Sequence, residues 1–225
     1  GIMKKYAVSD LVKEVKVLLD RNQESSGLLT PDDTDTLSQA ELIKSKIVDA
    51  ASIILSDAPV DMVDGIKLDN ISVSWASKNN AYVGTVYMPA DMIRLLSVRA
   101  SDWNRNAEII TENDEAYKYQ GCKYGVRGNP DRPIAAIVHT KGGRYLELYT
   151  SKSNSVTVDF TYVAQPEIIT ESSGAGYINL QSNLKDAILY MAGYLTCVSM
   201  GDTDTAAGLL GVSRKLAHIV EPTTS

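Results

Sequence analysis

The stretch IAAIVHTKGGRYLELYT, residues 134–150, decides the fold of the middle of this chain. Two runs rich in β-branched, aliphatic and aromatic residues, 134–140 and 145–150, flank the turn signal KGG at 141–143. Glycine accepts the positive backbone dihedrals of tight hairpin turns, so this pattern predicts two antiparallel strands. We therefore expect a β-sheet to be built around this hairpin.

The segments on both sides of the hairpin continue the strand pattern. Apolar and polar residues alternate in 71–75, and extended segments follow at 82–87 and 93–98. Downstream, the same alternation returns in 156–162. Alternation with a period of two is typical of strands that bury one face, so residues 66–165 are predicted to form a β-rich domain.

Both ends of the chain carry helical periodicity instead. Helices are predicted over about 8–21, from a capping box at Ser38 to Pro59, over about 184–200, and from Asp202 onward. Gly201 is expected to cap the third of them. The apolar stripes consist of Leu11, Val15, Leu18, Leu19, Ile43, Ile47, Ala50, Ala51, Ile54, Leu184, Ala187, Ile188, Met191, Leu195, Val198, Ala206, Leu209, Leu210, Leu216 and Ile219.

Each amphipathic stripe needs a partner, and helices from opposite ends of a chain commonly supply it. We therefore predict an α+β fold in which the N- and C-terminal helices form a helical bundle. The bundle is expected to be a discontinuous domain of residues 1–65 and 166–225. The antiparallel β-rich domain, residues 66–165, is expected as a single central insertion.

Composition limits the functional classes. The chain has 225 residues and a net charge of −6, so no global positive field attracts it to nucleic acid. No apolar run approaches the roughly 20 residues needed to span a bilayer, and no secretory signal follows Lys4-Lys5. Cys122 and Cys197 show no metal-binding spacing; we expect two separate thiols in an intracellular protein, with a disulfide as the alternative.

No motif in the chain indicates catalysis or cofactor binding. The two histidines, His139 and His218, have no second ligand at metal-binding spacing, and no GxSxG motif is present. The glycines of 121–128 lack the spacing of a phosphate-binding loop. We therefore expect a protein that is not an enzyme and that needs neither a metal nor a cofactor.

One loop is rich in residues that recur in binding sites. The segment 117–133 contains a set of tyrosines and arginines, which combine large contact area with directional hydrogen bonding. One interpretation is a loop that docks on a neighbouring protein; the others are a nucleic-acid contact and a surface loop packed on the β-domain. The predicted docking residues are Tyr117, Tyr119, Tyr124, Arg127 and Arg132.

Several short motifs resemble a known family. The run YMPADMIRLLSV at 87–98 is similar to an aliphatic-Pro-x-Asp-x-hydrophobic-Arg-hydrophobic pattern of phage head–tail connector proteins, including the tail tubular or gatekeeper proteins. Trp103, the loop 125–133, the run GRYLELY at 143–149 and the helix over 180–195 are also similar. The likeness covers most of residues 36–220, although long stretches of the β-rich region are not matched.

This resemblance implies a non-catalytic virion or prophage protein that assembles in the host bacterial cytoplasm. It implies a ring of identical subunits, a dodecamer, seated between the portal protein and the tail or nozzle protein. DNA would pass through the lumen without specific binding, which suits an acidic chain. No membrane is involved.

Two other functional classes remain open from the sequence. The first is a small-molecule or glycan-binding β-module without catalysis, in which Trp75, Trp103 and the tyrosines would serve as stacking platforms. The second is an enzyme whose site joins His139 to a carboxylate and a nucleophile that are distant in sequence. The exposure of the tryptophans and the surroundings of His139 distinguish these classes.

Overall fold

The computed structural model describes residues 1–23, 33–121 and 127–220. Its helices are α1 (Val8–Gln23), α2 (Asp33–Asp57), α3 (Glu115–Lys118), α4 (Lys185–Ser199) and α5 (Thr203–Leu216). Its strands are β1 (Met3–Ala7), β2 (Ile66–Ile71), β3 (Ser74–Lys78), β4 (Ala81–Tyr87), β5 (Met92–Ala100), β6 (Glu108–Thr111), β7 (Ile134–Thr140), β8 (Gly143–Ser151), β9 (Val158–Ala164), β10 (Ile169–Thr170) and β11 (Gly176–Gln181).

The chain divides into two compact units. A terminal unit comprises residues 1–64 and the chain from Gln165 onward, and a middle unit comprises Gly65–Ala164. Among the helices in the described ranges, none has the length and apolar content that crossing a bilayer requires.

The helices of the terminal unit pack through the stripes predicted for them. The α2 stripe of Ile43, Ile47 and Ile54 is fully buried, and α4 packs against α1, α2 and α5. At Gly193 in α4, an added Cβ would lie 3.4 Å from Leu209 of α5, which is ordinary van der Waals contact and shows that the two helices pack against each other here. The buried hydroxyl of Ser213 donates to the carbonyl of Ala187 at 2.6 Å, which also joins α5 to α4.

The predicted helical bundle with one β-rich insertion is wrong. The structure is a mixed, mostly β-rich fold in which the described residues form five helices and eleven strands in three sheets. One sheet belongs to the terminal unit, where β1 and β10 both pair antiparallel with β11. The five-stranded sheet of the middle unit is not purely antiparallel, because β6 pairs parallel with β7. Strand pairing between distant segments overrides the grouping suggested by local periodicity.

The start of α2 also differs from the prediction. The helix begins at Asp33, whereas the capping box predicted its start at Ser38. The additional first turn, DTDTL, is almost entirely polar, so it has no apolar periodicity that would indicate a helix. The cap predicted at the start of α5 is confirmed, since Asp202 Oδ1 accepts a hydrogen bond from the backbone N–H of Thr205 at 3.2 Å.

The middle unit consists of two sheets around a common core. One sheet has the order β2-β9-β5 and the other β3-β4-β8-β7-β6. The predicted hairpin is confirmed as β7 and β8, with Thr140 opposite Gly143, which has a φ of 122°. Both sheets contribute to one buried cluster, which includes Val86, Leu95, Val98, Trp103, Leu146, Leu148, Val158 and Phe160. This core fixes the strand ends and loops on which the candidate site is built.

Candidate functional site

The structure separates the predicted docking residues into two groups. Tyr117 lies on α3 and is partly buried, whereas Tyr119, in the following turn, is 47% exposed. Arg127 is half-buried and Arg132 is exposed. Tyr124 lies outside the described residues. Tyr117 and the two arginines therefore have different surroundings.

Tyr117 belongs to a cluster of phenols around a single carboxylate. Its hydroxyl donates to Oε1 of Glu147 at 2.8 Å, and the Tyr149 hydroxyl donates to Oε2 of the same carboxylate. The Tyr145 hydroxyl lies 3.5 Å from Oε1. Tyr117 also packs on a small apolar cluster with Ile110 and Tyr149. It therefore anchors α3 to the sheet, as the packed-loop interpretation predicts for a tyrosine of this segment.

The environment of this cluster keeps the phenols protonated. Burial and the hydrogen bond to Glu147 raise the pKa of Tyr117 to about 12. Burial, followed by its hydrogen bond to Glu147, raises the pKa of Tyr149 well above its usual range. A phenol with a raised pKa stays protonated at neutral pH, so it keeps its hydrogen-bond donor and supplies no phenolate, and the cluster is suited to holding the structure together.

The raised pKa of Tyr117 predicts a loss of stability in alkaline solution. An unfolded tyrosine titrates near pH 10, so the stabilisation is complete below that pH and is lost as the pH rises towards about 12. We expect Tyr117→Phe to make the decline of the free energy of unfolding with pH shallower in this interval, by less than the roughly 1.4 kcal/mol per pH unit of a fully buried group, because solvent screens a partly exposed phenol. Urea unfolding between pH 9 and pH 12 measures the slope, with Tyr119→Phe as control. Equal slopes for wild type and Tyr117→Phe would contradict the assignment.

The two arginines lie around a surface depression together with a third. Arg105, Arg127 and Arg132 line a depression of about 500 Å³, which we call the arginine groove. A second depression, of about 330 Å³, shares Arg127 with it and includes Lys152. The groove is completed by Asn106, Ala107, Glu108, Asn129, Pro133 and Ile134. The loop that carries the predicted docking arginines thus forms part of a concave, locally basic surface.

A tight turn presents Arg132 to the groove. In the sequence Asn129-Pro130-Asp131-Arg132, the side-chain Oδ1 of Asn129 accepts hydrogen bonds from the backbone N–H groups of Asp131 and Arg132, each at 3.0 Å. The backbones of Asn129 and Arg132 also bond to each other. Asparagine followed by proline favours such turns because its side chain substitutes for a backbone acceptor and proline fixes φ.

The segment that carries Arg105 is hydrogen-bonded to this turn. The backbone N–H of Asn104 donates to the carbonyl of Pro130 at 3.0 Å, and its side-chain amide donates to Asp131 Oδ1. Parallel pairing of β6 with β7 then places Glu108 beside Ile134. These contacts hold the β5–β6 connection against the 129–132 turn, so Arg105 and Arg132 face a common groove.

Arg127 is oriented by the turn between β3 and β4. Its guanidinium donates to the carbonyls of Lys78 and Asn79, at 3.1 and 3.2 Å. The adjoining Gly128 is buried, with its N–H donating to Gln120 Oε1 at 2.9 Å and its carbonyl accepting from Thr150 Oγ1 at 3.1 Å. The arginine groove therefore rests on three loops whose backbone positions are fixed by hydrogen bonds.

Sequence reasoning missed Arg105 as a partner of the predicted arginines. Arg105 is separated from Arg132 by a short strand, a helix and the loop, so no local spacing relates them. The turn signal Asn129-Pro130-Asp131 was visible in the sequence, but the segment that it would meet was not. The strand β6, whose parallel pairing brings them together, is only four residues long and was not predicted.

The tryptophans do not form the stacking surface that a glycan-binding module would need. Trp103 is 2% exposed, and its indole N–H donates to the carbonyl of Thr150 at 2.9 Å. Trp75 is half-buried against the core of the middle unit, with its N–H donating to Val156 at 2.8 Å. Both indoles are thus committed to packing within the unit, which argues against that alternative.

The surroundings of His139 do not assemble a nucleophile and a base. His139 Nδ1 lies 3.8 Å from Glu112 Oε1, and both side chains are exposed. The adjacent Thr140 hydroxyl donates to the carbonyl of Gly143 at 2.8 Å. Within the described ranges, no group of three or more His, Cys, Asp or Glu side chains is placed to hold a metal ion.

Of the two cysteines, Cys122 lies outside the described residues. Cys197 is a free, buried thiol on α4. Burial and the nearby carboxylate of Asp202 raise the pKa of the Cys197 thiol to about 11, so it is unreactive at neutral pH.

In comparisons with known proteins, no family model and no curated protein sequence matches the chain.

Proposed function

We propose that the protein is a non-catalytic subunit of a phage or prophage head–tail connector ring, located in the virion between the portal protein and the tail or nozzle protein. It assembles in the host bacterial cytoplasm, and DNA passes through the lumen of the ring without specific binding. The resemblance of 87–98 and 143–149 to connector proteins motivates this proposal. One surface feature of the terminal unit supports it most directly.

That feature is the exposed face of α5. Between Asp204 and Lys215, the exposed positions of this helix carry only small and apolar residues. They are Ala207, Gly208, Gly211 and Val212. A solvated helix face ordinarily carries charged and polar residues, so the composition of this face is that of a surface which contacts another protein.

No contact with a described residue explains the glycines of this face. A Cβ added at Gly208 or Gly211 would meet no atom of the described residues within 4 Å. Each glycine costs about 1 kcal/mol relative to alanine in a helix interior, and no close contact with the described residues repays that loss here. Close approach of a helix from a second subunit would account for both residues.

Apolar residues near the ends of α4 and α5 are exposed as well. Val198 and Leu216, which periodicity predicted to be buried, are 48% and 40% exposed. Met200 and Val212 are exposed as well. A closed ring requires that one surface of each subunit contact a different surface of the next, and the α5 face is our candidate for one of these two surfaces.

The two motifs that carry the resemblance also meet in the middle unit. The N–H of Met88 donates to the carbonyl of Arg144 at 3.0 Å, and the Arg144 guanidinium donates to the carbonyl of Met92. The two segments therefore form one structural feature of the middle unit. The loop with Arg127 and Arg132 is our candidate for contact with a neighbouring protein of the neck.

The ring is tested by measuring mass in solution and by electron microscopy, with and without purified portal protein. We expect rings, twelve subunits in each, and we expect Gly211→Trp to abolish them because an indole on the α5 face prevents close approach. Lys44→Trp, which adds the same bulk to the exposed side of α2, is the matched control. A wild-type chain that stays monomeric with and without portal protein would refute the proposal.

A further inference from the structure

We propose that the arginine groove is a docking site for an acidic segment of a partner protein, whose carboxylates bind Arg105, Arg127 and Arg132. This inference rests on the docking role proposed above for the loop, and it names the chemistry of the partner. It does not depend on ring formation through α5, which lies in the other unit.

The groove carries more positive than negative charge, since three arginines line it together with one carboxylate, that of Glu108. Among the described residues, Arg105 and Arg132 take part in no salt bridge and donate no side-chain hydrogen bond, and both are exposed. Arg127 uses one N–H on each terminal nitrogen for the carbonyls of Lys78 and Asn79. A guanidinium has five N–H donors, so three of them stay available on Arg127.

The chemistry of guanidinium groups favours carboxylates as ligands. The planar fork of an arginine matches the two oxygens of a carboxylate and forms paired, charge-assisted hydrogen bonds. Three arginines around one groove would bind several carboxylates at once. This local positive charge stands out in a chain whose net charge is −6.

The groove is also preorganised for binding. The two hydrogen bonds from Asn104 fix the segment of Arg105 to the 129–132 turn, and the side chain of Asn129 fixes the turn itself. Arg127 is held by the carbonyls of the β3–β4 turn. Loops that are already ordered lose little conformational entropy on association, so more of the interaction energy appears as affinity.

The lining distinguishes an acidic protein segment from nucleic acid. Glu108 lies in the groove and would repel any anion next to it, so a ligand must place its negative charges beside the arginines and away from Glu108, which a peptide with spaced carboxylates does more readily than a continuous phosphate backbone. Ala107, Pro133 and Ile134 supply an apolar part that suits the side chains of a peptide. Among the described residues, the groove has no aromatic side chain on which a base could stack, and single-strand binding proteins depend on such stacking.

Fluorescence anisotropy on the full-length protein tests the proposal. The probes are three fluorescein-labelled ligands: a twelve-residue peptide of alternating glutamate and glycine, the same peptide with glutamine for glutamate, and a thymidine oligonucleotide of equal length. The test variant is Arg105→Gln with Arg132→Gln. The control is Lys118→Gln with Lys141→Gln, which removes the same charge from two exposed lysines outside the groove.

We expect the glutamate peptide to bind at low salt and the glutamine peptide not to bind. The arginine double variant should weaken binding by about fivefold or more, while the lysine double variant changes it by less than about twofold. Replacing both arginines with glutamate should remove binding of the glutamate peptide and create binding of a lysine–glycine peptide. Circular dichroism of each variant shows whether it is folded.

Three results would overturn the inference. In the first, the wild-type protein does not bind the glutamate peptide. In the second, the two double variants lose equal amounts of peptide affinity. In the third, the oligonucleotide binds through Arg105 and Arg132 with higher affinity than the peptide. The ring proposal is tested independently of this one. The Gly211→Trp variant should lack rings and should still bind the glutamate peptide. Loss of rings with intact peptide binding, or the reverse, therefore assigns the failure to one proposal.

Discussion

Trp103→Ala is expected to lower the free energy of unfolding by about 3–5 kcal/mol, the largest effect of any substitution considered for this protein. The side chain is 2% exposed and belongs to the core shared by the two sheets of the middle unit. Truncation would leave a cavity in that core. It would also leave the buried carbonyl of Thr150 without the indole N–H that it accepts at 2.9 Å.

Trp103→Phe separates these two contributions. Phenylalanine fills most of the cavity but donates no hydrogen bond, so we expect it to retain part of the stability, with a loss of about 1–3 kcal/mol. Urea unfolding followed by circular dichroism measures both variants, and the fluorescence of Trp75 reports on the middle unit in each of them. A Trp103→Ala protein as stable as wild type would show that the indole is not a core residue.

The core position of Trp103 also affects how binding experiments are interpreted. A loss of ligand binding in Trp103→Ala would follow from unfolding of the middle unit as readily as from removal of a stacking platform. Trp75→Ala has a similar difficulty, because an added Cβ at Gly84 would lie 2.7 Å from the Trp75 ring, which shows how tightly that indole is packed. Binding tests that substitute a buried residue of this protein therefore need a parallel measurement of stability.

The elements that sequence reasoning predicted correctly are those whose signals are local. The β7–β8 hairpin has its alternating residues and its glycine turn within seventeen residues, and the stripe of α2 repeats within one helix. In both, the residues that pack together are near in sequence. Local patterns of this kind determine an element without knowledge of its partners.

The sheet of the terminal unit could not be predicted in this way. In β1, the sequence MKKYA has a single partly buried position, Tyr6, so it shows no apolar alternation. Its partner β11 is separated from it by most of the chain, and Met3 pairs with Gln181. The pairing depends on backbone hydrogen bonds, which leave little trace in side-chain polarity. The fold class was wrong for this reason.

In the candidate site, too, local sequence indicated some of the residues and tertiary contacts determine the others. The composition of the loop indicated Arg127 and Arg132, because arginine-rich and tyrosine-rich segments can be recognised locally. Whether an individual tyrosine is free for docking depends on its contacts, and Tyr117 is committed to Glu147 by a hydrogen bond of 2.8 Å. Arg105 joins the site through parallel strand pairing, which has no local signature. Sequence therefore indicated the loop, and tertiary contacts determine which of its residues form the groove.

Two apolar residues that periodicity predicted to be buried are exposed. Val198 and Leu216 fit the apolar periodicity of their helices, yet both are exposed in the described structure. Periodicity reports that a helix face is apolar, but it does not distinguish packing within a chain from packing between chains. The excess of apolar residues over what the terminal unit buries is what we assign to contact between subunits.

Gly128→Ala is expected to destabilise the protein by about 1–3 kcal/mol and to weaken binding of the glutamate peptide, because it displaces the loop that positions Arg127 and Asn129. An added Cβ would clash with the carbonyl oxygen of Tyr149 and lie 2.9 Å from the backbone nitrogen of Ile134. Both are backbone atoms of the central hairpin, so the loop must move away and the hydrogen bonds of Gly128 to Gln120 and Thr150 must weaken.

Gly142→Ala is the matched control, since its added Cβ would approach only the Thr140 hydroxyl, at 3.9 Å, in the turn of the same hairpin. Urea unfolding and peptide anisotropy should be measured on both alanine variants. We expect the control to match wild type in both measurements, whereas Gly128→Ala loses stability and affinity together. If Gly128→Ala binds the glutamate peptide as well as the control does, the arginine groove does not depend on the packed backbone beneath Arg127, and the preorganisation that we infer for it is wrong.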